Sequence, residues 1–145
     1  MALVLVVDDE PSFRFFLRAL FASEGHEVRV ARNAKEGLEH LHGCIPDLVT
    51  LDVMMPEHGG LELYRALKGS EQWRNIPVIM LSGVKESTYS HALAISGIAG
   101  ETLPEPFAYI EKPPQPERLL ELARHILDAA SGNANREQEQ NTHGT

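Results

Sequence analysis

Short apolar runs and longer amphipathic stretches take turns along this chain, and their periods predict the elements. Leu3 to Val7, the run that ends on Asp52 and residues 77–81 are nearly continuous apolar runs, too short for helices, and read as strands buried on both faces of a sheet. Glu27-Val28-Arg29-Val30-Ala31 alternates instead, as a half-exposed strand at a sheet edge does, and residues 107–111 make a fifth run. Between the first two, Phe13, Phe16, Leu17, Leu20 and Phe21 fall at i, i+3, i+4, i+7 and i+8, the apolar face of a helix that Pro11 opens and Gly25 closes. Asn33 caps a second helix carrying Ala34, Leu38 and Leu41, which Gly43 stops. Leu61, Tyr64 and Leu67 mark a third, after a loop containing Pro56, Gly59 and Gly60, and it runs out near Gly69. A fourth helix is expected over residues 86–96 on a weak pattern of Tyr89, Leu93 and Ile95. A fifth is marked strongly by Leu119, Leu122, Ala123, Ile126 and Leu127.

Five strands alternating with five helices on short connections predict an α/β three-layer sandwich around a parallel sheet, because each crossover is right-handed. For a flavodoxin-like chain of this kind the strand order is 2-1-3-4-5, with the reversal between strands one and three. The chain of 145 residues, 43% of them hydrophobic, suits one domain with a real core. From residue 131 onward the sequence is polar, with Ala134 its only aliphatic residue, so residues 130–145 are expected to form a disordered tail or a truncated linker. A net charge of −8 repels polyphosphate and anionic lipid surfaces, which argues against direct nucleic-acid or membrane binding. One cysteine, Cys44, excludes an internal disulfide. With no basic leader and no run of membrane-spanning length, a soluble cytoplasmic protein is expected.

The chemistry concentrates where strands one and three end. In an open parallel sheet, sites form beyond the carboxyl ends of the strands, and this topology delivers Asp8, Asp9 and Asp52 to one crevice. An Asp8-Asp9 pair by itself is as well explained by helix capping. Three carboxylates ~4 Å apart are not, since each pair repels by about 4 kcal/mol at an effective dielectric near 20. They need a cation or protons. The hard oxygen ligands, without a Cys or His cluster, favour Mg2+ over zinc. A carboxylate beside such an ion, with a hydroxyl and an ammonium nearby, is a plausible phosphoryl receiver, and Ser82 and Lys112 at the same strand ends supply those groups.

With these residues in order, the chain resembles a response-regulator receiver domain of two-component signalling. The likeness covers about residues 3–129 and rests on Asp8-Asp9, on Leu51-Asp52-Val53-Met54-Met55-Pro56 followed by Gly60, on Ser82 and on Lys112-Pro113. The resemblance implies a receiver domain over residues 1–129 and a role for each residue. Asp52 is the phosphoacceptor, Asp9 a direct Mg2+ ligand, Asp8 a largely water-mediated one, and the Met54 backbone carbonyl a further ligand. Ser82 hydrogen-bonds the phosphoryl oxygens, Lys112 pairs with them, Pro113 follows a cis bond, and Tyr109 is the switch aromatic that turns inward as Ser82 moves. It implies a phosphorelay partner, a histidine kinase or phosphotransfer protein, and a downstream protein target or effector domain. It also implies a homodimer face made by helix four, strand five and helix five. The module then catalyses only its own Mg2+-dependent phosphotransfer and dephosphorylation.

Two departures qualify the resemblance. The interval from Ser82 to Lys112 is long for the family, with the excess between Gly97 and Phe107, beside the usual output face. Met54 and Val84, two positions beyond Asp52 and Ser82, are apolar where such domains tune dephosphorylation, which points to a long-lived phosphoryl state. Two other functions compete. An aspartate-nucleophile phosphohydrolase usually wants a second acid where this chain has Met54. A flavodoxin-like nucleotide binder needs a phosphate loop where Asp9-Glu10-Pro11 repels one.

Overall fold

A computed structural model describes residues 2–55, 59–83 and 103–142, and the side chains of those up to residue 129. Its elements are β1 (Leu3–Val7), α1 (Pro11–Ser23), β2 (Glu27–Ala31), α2 (Ala34–Gly43), β3 (Leu48–Leu51), α3 (Gly59–Gly69), β4 (Val78–Ser82), β5 (Ala108–Glu111) and α4 (Pro116–Thr142). All four strand pairings are parallel and the order is β2-β1-β3-β4-β5. The expected five-stranded, doubly wound sheet is therefore present, with four helices among the described residues. The helix expected over 86–96, Val84, Pro56 and residues 97–102 of the long interval lie outside them.

The strand period of two divides the core. Leu5, Val7, Val49, Leu51, Val78 and Met80 pack with Leu41 of α2 and Leu63, Tyr64 and Leu67 of α3. Val4, Val6, Leu48, Ile79 and Leu81 face the other way, against Leu17 and Phe21 of α1 and Leu119, Ala123 and Ile126 of α4. Both faces of β1, β3 and β4 are consequently dry, which is why these strands read as continuous apolar runs. β2 and β5 lie at the edges and are only partly buried, matching the alternation in β2. Thr50 is the polar exception inside β3: it is 1% exposed, and its hydroxyl has no hydrogen-bond partner among the described residues.

Local signals act as the sequence predicts. Pro11 stands at the first turn of α1, and Gly25 beyond its end has φ +84°, a conformation that costs other residues a steric clash. The Asn33 side chain accepts the Glu36 amide at 2.9 Å and caps α2. The backbone of the last helix runs from Pro116 to Thr142. A polar composition denies a segment core contacts, but Glu, Gln, Arg and Ala remain good helix formers, so polarity alone does not end a helix already nucleated by Leu119 to Leu127. Described residues of the long interval are anchored as well. Leu103 packs against the α3 side of the core, and the Tyr64 hydroxyl donates to the Pro104 carbonyl.

Candidate functional site

Three strand ends build one acidic corner. Hydrogen bonds between neighbouring strands carry the sheet register one step past their ends: the Asp8 amide donates to the Ala31 carbonyl and the Asp52 amide to the Val7 carbonyl, both at 3.0 Å. Asp8 and Asp52 are thus held as if still in strands, with side chains 2% and 5% exposed. Turn geometry fixes each carboxylate further. Asp8 Oδ1 accepts the Glu10 amide and Asp52 Oδ1 accepts the Met54 amide, each at 2.9 Å. The Asp8 side chain therefore bonds the turn before α1. Glu10 is the N-cap residue of that helix and makes no side-chain cap. Below Asp52, α3 approaches so closely that a Cβ on Gly60 would lie 2.4 Å from the Asp52 carbonyl oxygen. Only a glycine allows the helix to seat against the loop that carries the acid.

Lys112 reaches into this corner from the end of β5. Its backbone amide donates to the Ser82 carbonyl at 2.8 Å, which ties the rim of β4 to the start of the β5–α4 turn, and the Lys112–Pro113 bond is cis. The amine donates to Asp8 Oδ2 at 2.7 Å and Asp52 Oδ2 at 3.2 Å, and it lies 3.5 Å from Glu10 Oε1. Burial works against its charge, but the Asp8 hydrogen bond and the Asp52 and Asp8 charges outweigh that and hold the amine above the ordinary lysine range. Burial raises the Asp8 carboxyl above its usual value, although the Lys112 hydrogen bond and the Glu10 amide draw it down.

Oxygens of Asp8, Asp9, Glu10 and Asp52 lie within 4.8 Å of one another, with Asp9 and Glu10 exposed and the other two buried. Four carboxylates against one ammonium leave the corner strongly negative. The donors are all hard oxygens, a set that suits Mg2+ and similar ions rather than soft metals. A cleft of about 500 Å³ opens beside Asp9, with Arg14, Arg32 and Asn33 on its wall. The Arg14 guanidinium donates to the Asp8 carbonyl at 2.7 Å.

Each residue singled out from sequence has a definite place. Asp8, Asp9, Asp52 and Lys112 come together directly. Ser82 ends β4, fully buried, on the strand edge that pairs with Glu111 and receives the Lys112 amide. Met54 is 61% exposed beside the corner, and its amide donates to Asp52. Tyr109 on β5 pairs in register with Met80 of β4, two strands over from β3, and packs partly buried against the core. Two neighbours of Lys112 had no such signal. Glu10 follows the acid pair without periodic cue, and Phe13 belongs to the apolar face of α1, yet its ring centroid lies 4.2 Å from the Lys112 amine.

Comparison with known proteins gives the family and the fold. The sequence profile of the response regulator receiver domain matches residues 4–124. The chain is 34% identical over 124 residues to response regulator MprA of Mycolicibacterium vanbaalenii, covering 86% of this chain and 49% of that protein. It is 42% identical over 81 residues to the CAI-1 autoinducer sensor kinase/phosphatase CqsS of Vibrio cholerae, covering 55% of this chain and 12% of that one. The chain thus spans half or less of the length of these curated relatives. Among solved structures, the receiver domain of a signal transduction histidine kinase from Syntrophus aciditrophicus superposes with a TM-score of 0.75 at 28% identity. The match covers 89% of this chain and 92% of that one. Chemotaxis protein CheY4 of Vibrio cholerae gives 0.72 at 28% identity, covering 88% and 99%.

Proposed function

Because the chain belongs to the response regulator receiver domain family, we propose that Asp52 is the residue through which it works as a phosphoaccepting switch in two-component signalling. The observation that carries this reading is the Lys112 amine bridging Asp8 and Asp52 inside a cluster of four carboxylates. An Asp52 oxygen forms the bond to phosphorus as the donor's own bond to phosphorus breaks. Lys112, already charged and aimed at Asp52, neutralises the oxygens that arrive. Ser82 supplies a hydroxyl from the adjoining strand end. Asp8, Asp9, Asp52 and the Met54 carbonyl would hold Mg2+, with Glu10 at the edge of that set. When bound, the ion offsets the carboxylate charge and that of the phosphoryl oxygens.

The donor is a histidine kinase or phosphotransfer protein, and the cleft beside Asp9 leaves room for its approach. The receiver unit is residues 1–129, acting in the cytoplasm, and its own phosphotransfer and dephosphorylation are the only reactions it catalyses. The signal leaves through Tyr109, which lines a groove of about 350 Å³ with Arg118 and Leu122 between β5 and α4. That face serves a downstream target, an effector domain or a second copy of the chain. Intact-mass measurement after incubation with Mg2+ and acetyl phosphate tests the core of the proposal. Wild type gains one phosphoryl adduct and Asp52→Asn gains none; an adduct of equal yield on the asparagine variant would assign the chemistry to another residue.

A further inference from the structure

The Lys112 amine has an aromatic contact besides its carboxylate partners. An ammonium has three N–H donors, and Asp8, Asp52 and Glu10 surround it at 2.7, 3.2 and 3.5 Å. The Phe13 ring adds a fourth contact, with its centroid 4.2 Å from the nitrogen. An aromatic face attracts a cation through its quadrupole, without taking a proton and without a net charge of its own.

That difference matters once a divalent cation shares the corner. All three carboxylates of the amine's shell belong to the oxygen cluster that suits such an ion, so each becomes a shared partner, and the two positive charges repel. A phenyl ring is no ligand for a hard cation. Among the described residues, Phe13 is the one contact of the amine that the ion does not compete for. The ring is also well placed to stay where it is. It stands on the first turn of α1, which Leu17 and Phe21 fix in the core, and the Phe16 ring backs it at a centroid distance of 5.8 Å.

We propose that Phe13 is a positioning residue for Lys112, its ring keeping the ammonium at the acidic corner while a divalent cation engages the carboxylates. The amine is then in place when phosphoryl oxygens arrive. This inference rests on the role of Lys112 given under the proposed function.

The test follows the Lys112 Hε protons by NMR while the full chain is titrated with MgCl2. Protons over an aromatic face are shielded, so these resonate upfield of ordinary lysine. The upfield displacement should persist at saturating Mg2+ in wild type and in Phe13→Tyr and be absent in Phe13→Leu. Its collapse on Mg2+ saturation of wild type would overturn the proposal, and that reading needs neither a variant nor a phosphoryl donor. The kinetic arm uses acetyl phosphate at saturating Mg2+. Phe13→Leu should lower the rate constant roughly 2- to 30-fold, the range of one cation–π contact, without raising the half-saturating Mg2+ concentration, while Phe13→Tyr stays within about twofold of wild type. A leucine variant as fast as wild type would refute the proposal. Absence of any adduct on wild type would instead defeat the proposed function, and the NMR result would still decide where the amine sits.

Discussion

Asp8 and Lys112 are opposite halves of one electrostatic compromise. Burial raises the Asp8 carboxyl above its ordinary 3.8, so the folded chain takes up that proton more readily than the unfolded chain. The stability attached to it is complete below the ordinary value and is lost as pH rises through the folded one. Asp8→Asn should therefore melt above wild type at neutral pH without Mg2+, with the gap closing as pH falls toward 4, measured by thermal unfolding across that range. Lys112→Met works the other way. It leaves Asp8 and Asp52 buried without a counter-charge, and a loss of roughly 3 kcal/mol is expected in urea unfolding, partly recovered by Mg2+. For Lys112 itself, raised above 10.5, the stabilisation holds below that value and fades only in strong alkali. The two acids and the lysine were legible as residues because each ends an apolar run. Glu10 and Phe13 were not, since side-chain reach around one amine leaves no period in a sequence.

Elements place these groups, and two contacts show how tightly. Gly60→Ala would push a methyl within 2.4 Å of the Asp52 carbonyl and 2.7 Å of the Val53 backbone, neither of which is a flexible side chain. A cost of at least about 2 kcal/mol and slower acetyl phosphate labelling of Asp52 are expected, because α3 must retreat from the loop it supports. An unchanged unfolding midpoint would show that the helix shifts freely. Thr50 makes the contrasting case within β3. Its buried hydroxyl lacks a partner among the described residues, so Thr50→Val, of nearly the same shape, should leave stability equal or raise it by about 1 kcal/mol. A drop in denaturant midpoint would reveal a bond to a group outside the described residues. Boundaries were readable where the chain carries its own signal, as at Pro11, Asn33 and Gly25. Past residue 129 the sequence carries no such signal, because its helix propensity and its polar composition point in different directions.

At the scale of the whole molecule the switch is a question of populations. Moving a receiver from almost wholly off to almost wholly on takes about 5.5 kcal/mol of differential interaction, far more than one surface contact supplies. β5 carries both Tyr109, on the groove, and Glu111, the residue before Lys112 at the corner. If residues 1–129 are the switching unit, a chain ended there should accept phosphate from acetyl phosphate at the full-length rate and melt within roughly 3 °C of it. A large loss of either would make the α4 extension part of the domain. The sequence by itself determined the sheet, its order, its two-sided core and the three strand ends that carry Asp8, Asp52 and Ser82, because periodicity and strand termini are local properties that topology rules convert into positions. Only the tertiary structure decided that one amine bridges Asp8 and Asp52 against a phenyl ring, and that a glycine admits α3 to within contact of the Asp52 backbone. These are meetings of residues up to 104 positions apart, set by side-chain length and helix approach, quantities that no local pattern records.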